Sequence, residues 1–132
     1  MTLIDTSAWV EFLRATDSPT HRRVRTLIET SASVASTDVI VMEVLAGGRD
    51  DTHTAQLRRL LARCEFLPTA GLDDFEQAAA LYRQCRRAGR TIRALNDCLI
   101  AAIAIRAGVP VLHCDQDFDF LSEHTTLQAT SV

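Results

Sequence analysis

Short β-rich runs and helical stripes follow one another from the first residues onward. Thr2-Leu3-Ile4-Asp5 is a brief apolar run ending in an acid, and it predicts a strand passing from edge to core. Trp9, Phe12 and Leu13 then fall at helical spacing and predict a short helix over 6–14. Ser18-Pro19 marks the next helix start, since Ser caps and Pro prefers the first helical position. That helix runs to about Glu29 with Val24, Leu27 and Ile28 inward, and residues 33–36 form a second strand. Over 37–48 two signals conflict. Val39-Ile40-Val41 is β-branched and favours a strand, whereas Thr37, Asp38 and the Gly47-Gly48 stop favour a helix, which is the reading adopted.

Leu57, Leu60, Leu61 and Cys64 form the stripe of an amphipathic helix over 52–64, and residues 65–68 a brief strand. Asp73 and Asp74 open a helix that runs to Gly89, with Phe75, Ala79, Tyr82 and Cys85 expected inward. Asn96 is placed as the cap of a helix ending at Gly108, and its body, residues 98–105, is apolar on every side and therefore buried. Val109 to His113 reads as a strand, Asp115 opens the closing segment, and a final strand is expected near 126–128. Strands alternating with helices predict one α/β domain over 1–132, a short parallel sheet with helices on both faces.

The composition sharpens this only in places. At 47% apolar and 23% charged, the 132 residues can bury a sizeable core. No apolar run approaches a membrane span and no secretory stretch is visible, so a cytoplasmic protein is expected. A net charge of −3 speaks at first against nucleic acid. All 14 basic residues are Arg, which excludes P-loop, Schiff-base and lysine-base chemistry. Cys64, Cys85, Cys98 and Cys114 form no close pair, so ordinary buried thiols are expected; the four scattered histidines offer no imidazole metal site.

The acids carry more. Ligands in open parallel sheets bind beyond the carboxyl ends of strands. Asp5 and Asp115 stand at two such ends, Asp97 opens the buried helix before the last long strand, and Glu43 lies among Met42, Val44 and Leu45. Each has a simpler explanation alone: a cap for Asp5 and Asp115, a helix-dipole partner for Asp97, an exposed face for Glu43. Together, with no cation beside them, they call for an external one, and all-oxygen ligands select Mg²⁺ or Mn²⁺ over Zn²⁺. Without these four acids the net charge would be +1, so the acidity is largely that of the site.

Leu3-Ile4-Asp5-Thr6-Ser7, Ser36-Thr37-Asp38 through Glu43, Asn96-Asp97-Cys98-Leu99-Ile100-Ala101-Ala102 and Asp115-Gln116-Asp117-Phe118 resemble the successive acidic motifs of PIN-domain ribonucleases. More narrowly, they resemble the VapC toxins of bacterial VapBC toxin–antitoxin pairs. The likeness spans nearly the whole chain, and its strength lies in the ordered set. It implies a PIN-like fold and metal-site acids at Asp5, Glu43, Asp97 and Asp115, with Asp117 as an accessory. It also implies Mg²⁺-dependent endoribonuclease activity on RNA, with Mn²⁺ as an alternative ion, tRNA or rRNA as target and translation as the process inhibited. Homodimers and a VapB-like antitoxin lying in a groove that leads to the site follow as implied partners. Asp5 and Asp97 are the expected direct ligands of one or two ions, Asp115 completes the shell or holds a second ion, and Glu43 orients the attacking water or binds metal through it. Thr6 and Ser7 either support these carboxylates or simply cap their helix.

Arg83, Arg86, Arg87, Arg90 and Arg93 lie within eleven residues before Asp97, forming either a phosphate-tracking rim or a solvated face. His113-Cys114 carries no interpretation at this level. Rival readings are a PIN-like nuclease of ribosomal RNA processing or DNA cleavage, and a non-catalytic metal-binding or interaction module. Receiver and haloacid-dehalogenase-like domains also carry acids at strand ends, but they depend on a lysine that this chain lacks.

Overall fold

The computed structural model describes residues 1–132. Its strands are β1 (Thr2–Ile4), β2 (Val34–Ser36), β3 (Glu65–Phe66), β4 (Val111–Leu112) and β5 (Ala129–Thr130). Its helices are α1 (Thr6–Leu13), α2 (Pro19–Glu29), α3 (Asp38–Ala46), α4 (Asp51–Leu61), α5 (Leu72–Arg87), α6 (Leu95–Ala107) and α7 (Gln116–His124). The five strands lie in the order β3-β2-β1-β4-β5 and every pair is parallel. The first strand is thus central rather than passing from the edge, with Leu3 opposite Ala35 on one side and Val111 on the other. Leu3 and Ile4 are fully buried.

Chain order explains the layers. From β1 the chain steps outward to β2 and β3, then returns past β1 to β4 and β5. Right-handed crossovers in opposite directions place α1 to α4 on one face and α5 to α7 on the other. The helix contacts agree, α1 packing on α2 and α3, α3 on α4, and α5 on α6 and α7. The reversal falls at β1 and β4, so their carboxyl ends flank the switch point where such sheets bind ligands.

At the conflicted segment the helix prevails: α3 buries Val39, Ile40 and Val44, satisfying these β-branched side chains without a strand. In α5 the inner face is offset from expectation. Asp74, Ala78, Leu81 and Cys85 are buried, whereas Phe75 and Ala79 are exposed. The offset has a physical cause: Asp74 tolerates burial because Arg106 holds it, Nε to Oδ1 at 3.0 Å and Nη2 to Oδ2 at 3.1 Å.

The helix α6 begins two residues earlier than a cap at Asn96 requires. Ala94 is the cap, Asn96 is exposed within the first turn, and Asp97 is buried beside it. At its other end Gly108 adopts φ 68°, the left-handed conformation that closes a helix before Pro110. The last strand lies just beyond its expected place, since Leu127 is buried as an apolar anchor instead. The cysteines form no disulfide; Cys85 and Cys98 are buried, but Cys114 is exposed and Cys64 half-buried, against the expectation for all four. No helix is long and apolar enough to cross a membrane.

Candidate metal centre

Asp5 follows β1 directly and caps α1, so one residue serves as helix cap and as site acid. Its Oδ2 accepts from the Ser7 backbone N–H at 2.9 Å and the Ser7 hydroxyl at 2.6 Å, while its buried Oδ1 has no partner. Ser7 does more than cap, because its Oγ also accepts the Cys114 N–H at 2.9 Å. The hydroxyl therefore couples the end of β1 to the loop after β4.

Asp115 caps α7 in the same manner, its Oδ1 accepting the Asp117 N–H at 2.9 Å. Asp117 is buried; its Oδ2 accepts the Arg93 backbone N–H at 3.1 Å, and its Oδ1 lacks a hydrogen bond. Oxygens of Asp97, Asp115 and Asp117 lie within 4.8 Å of one another. Glu43, one and a half turns into α3, is half-buried and accepts the Thr6 hydroxyl at 2.9 Å. It is neither on an outer face nor immersed in the core: the helix turns it toward α1.

The electrostatics register the crowding. Asp97 is pushed up to about 8, first by burial and then by the charges of Asp5, Asp115, Asp117 and Glu43. Asp5 is pushed up to about 6 by burial and by Glu43, against the lowering pull of the Ser7 hydrogen bonds. One buried oxygen each of Asp5, Asp97 and Asp117 makes no hydrogen bond, that of Asp117 having only the Arg93 guanidinium 3.6 Å away. Buried carboxylate oxygens left bare cost several kcal/mol unless a cation or proton meets them. An all-oxygen set with bare lone pairs from three separate elements fits a hard divalent cation.

Arg93 is the one arginine of its run that touches these acids. Its Nη2 lies 3.3 Å from Asp115 Oδ1 and its Nε 3.6 Å from Asp117 Oδ1, with the side chain largely exposed. The others do not form one face with it. Arg86 lies over the Tyr82 ring at 5.6 Å and Arg90 over Phe120 at 4.7 Å, while Arg83 and Arg87 are exposed on α5. His113 now has a part. It is buried against Phe118, with ring centroids 5.3 Å apart, and burial holds its pKa down. Its Nδ1 accepts the Asp115 N–H at 3.2 Å, so the neutral ring carries its proton on Nε2, 3.6 Å from Asp119. The imidazole thereby fixes the loop that presents Asp115.

Two arginines beside the site escaped the sequence reading. Arg14 and Arg49 border the cavity that Glu43 and Thr6 also line. Each comes directly or shortly after a helix that carries a site residue, α1 or α3, and that placement was the available signal.

Comparisons with known proteins agree with this geometry. Residues 2–123 match the family model for the PIN domain. The chain is 49% identical over 135 residues to Ribonuclease VapC11 of Mycobacterium tuberculosis strain H37Rv, covering 99% of this chain and 98% of that one. It is 27% identical over 123 residues to Ribonuclease VapC51 of the same organism, covering 93% and 86%. Among solved structures, VapBC2 from Rickettsia felis, bound to a DNA fragment from its promoter, superposes with a TM-score of 0.77 at 16% identity over 99% and 98% of the two chains. VapBC-5 from M. tuberculosis gives 0.65 at 27% identity over 99% and 98%. The chain belongs to the PIN-domain family and, within it, to the VapC ribonucleases.

Proposed function

We propose that this protein is the toxin of a VapBC-type toxin–antitoxin pair, an Mg²⁺-dependent endoribonuclease that hydrolyses phosphodiester bonds of tRNA or rRNA and so inhibits translation. The observation that carries the reading is the set of bare, buried oxygens on Asp5, Asp97 and Asp117 around a carboxyl displaced to about 8. Mg²⁺, with Mn²⁺ as an alternative, would lower the pKa of a water and neutralise charge on the phosphate and leaving oxygen. Asp5 and Asp97 would hold the ion directly, with Asp115 and Asp117 completing the shell. Glu43, fixed by the Thr6 hydroxyl, orients the attacking water from the α3 side. Ser7 keeps Asp5 and the Asp115 loop in register through its two contacts. Arg93 stands where it can exchange acids for a substrate phosphate, and Arg86 and Arg90 extend the cationic surface away from it.

The named relatives and the VapBC neighbours support a VapB-like antitoxin as partner, and a homodimer is the proposed assembly. Sequencing RNA ends after incubation with the wild type and with Asp5→Ala tests the activity and its target together. New, Mg²⁺-dependent ends with the wild type alone are expected. Identical ends with both proteins would refute the reading.

A further inference from the structure

A cavity of about 310 Å³ opens beside Glu43, between the ends of α1 and α3 and the flank of α4. Its inner wall is apolar, made by Val10, Val44 and Leu57, and the exposed Leu13 forms its lip. Arg14 and Arg49 stand on its border, and neither takes part in any ion pair. Four other arginines are committed, Arg22 to Asp17, Arg25 to Glu29, Arg106 to Asp74 and Arg93 to the metal-site acids; of the ten without an ion pair, Arg14 and Arg49 are the two that line this cavity. His53, which also lines the cavity, accepts the Arg49 N–H on Nδ1 at 3.1 Å, pinning the loop that presents this arginine. Gly48 lies in the same loop, packed so closely on α4 that a Cβ there would press on the Thr54 hydroxyl.

An apolar wall with two free guanidiniums at its rim matches one nucleotide unit, base inward and phosphate outward. Glu43 and Thr6 join this cavity to the acid cluster, so a strand crossing the acids is led into it. We propose that the cavity is the subsite for the nucleotide adjoining the scissile phosphate of single-stranded RNA. Arg14 and Arg49 hold its phosphate, and the Val10, Leu13, Val44 and Leu57 wall receives its base. The assignment rests on the ribonuclease reading above and extends it to a substrate-positioning surface on the α1, α3 and α4 side of the acids.

The test uses a fluorescein-labelled, mixed-sequence single-stranded RNA bound to full-length Asp97→Asn protein, with and without Arg14→Ala and Arg49→Ala together. The paired substitution should weaken binding about tenfold or more, as for lost charge-assisted contacts. It should also flatten the slope of log affinity against log salt by about 0.7, the share of one neutralised phosphate on a single strand. Leu13→Glu, on an exposed helix position that leaves the core intact, should weaken binding as well, whereas Arg23→Ala on α2 should not. In the cleaving protein the paired substitution should raise KM more than it lowers kcat.

Unchanged affinity and salt slope in the paired variant would overturn the subsite. Intact RNA binding with loss of co-purification with a co-expressed VapB-like antitoxin would also overturn it, assigning the cavity to a protein. Arginine-dependent RNA binding by a wild type that cuts no RNA with any divalent ion would sink the nuclease reading and leave the subsite standing.

Discussion

Replacing Asp97 with Asn should make the protein more stable while removing its function. In the folded chain this carboxyl keeps its proton up to about 8, against an ordinary value of 3.8. The unfolded chain therefore binds fewer protons between pH 4 and 8, and stability falls as pH rises through that window. At about 1.4 kcal/mol per unit, a displacement of this size sets a ceiling of roughly 6 kcal/mol on what the ionised acid costs. The amide avoids that cost but leaves a buried polar group unpaired, for about 1–3 kcal/mol. A net gain of at most about 3–5 kcal/mol at pH 8 in EDTA remains, worth at most about 10–17 °C in Tm for a domain of this length. Calorimetric melts at pH 5 and pH 8, each with EDTA or saturating Mg²⁺, measure it. The gain should vanish at pH 5, where the wild-type acid is already neutral. Saturating Mg²⁺ should narrow the gap at pH 8, because an ion at a hundred times its Kd adds about 2.7 kcal/mol to the wild type alone. An Asn variant that melts below the wild type in EDTA at pH 8 would refute the charge-crowding account of the site.

Two further substitutions probe other contacts. Arg93→Ala removes a cation that lies against Asp115 and Asp117, so titration calorimetry should find Mg²⁺ bound about threefold to tenfold more tightly at low ionic strength; weaker binding would mean that the guanidinium shapes the acids rather than competing for them. Arg106→Ala leaves Asp74 buried without its partner and frees the Pro68 carbonyl, and urea unfolding should show a loss of about 2–3 kcal/mol, with no loss meaning that water replaces the pair.

Much of the site was legible because its acids mark transitions in the chain. Asp5 and Asp115 each follow an apolar run and precede a helix, so position at a strand end and chemistry coincide in one letter. Asp117 was visible as an accessory, but its full burial was not, since that depends on the Arg93 backbone arriving from 24 residues away. The helical phase of α5 was misread for a related reason. Periodicity assumes that the buried face is apolar, and Asp74 breaks the rule only because Arg106 reaches it from α6. The arginine run could not be resolved into roles, since α5 ends at Arg87 and Arg90 and Arg93 belong to the connection that follows. Arg14 and Arg49 meet only when α1 and α3 pack side by side, a contact that neither local segment records.

Because the strand order reverses at the centre of the sheet, the acids come from distant parts of the chain, with Asp5 and Asp117 standing 112 positions apart. No contiguous fragment short of nearly the whole chain contains the set. A nascent copy still on the ribosome carries Asp5 and Glu43 long before the remaining ligands have been made. Under the activity proposed above, the enzyme thus has a built-in delay: it cannot act on RNA around its own site of synthesis until the whole span from Asp5 to Asp117 has been made.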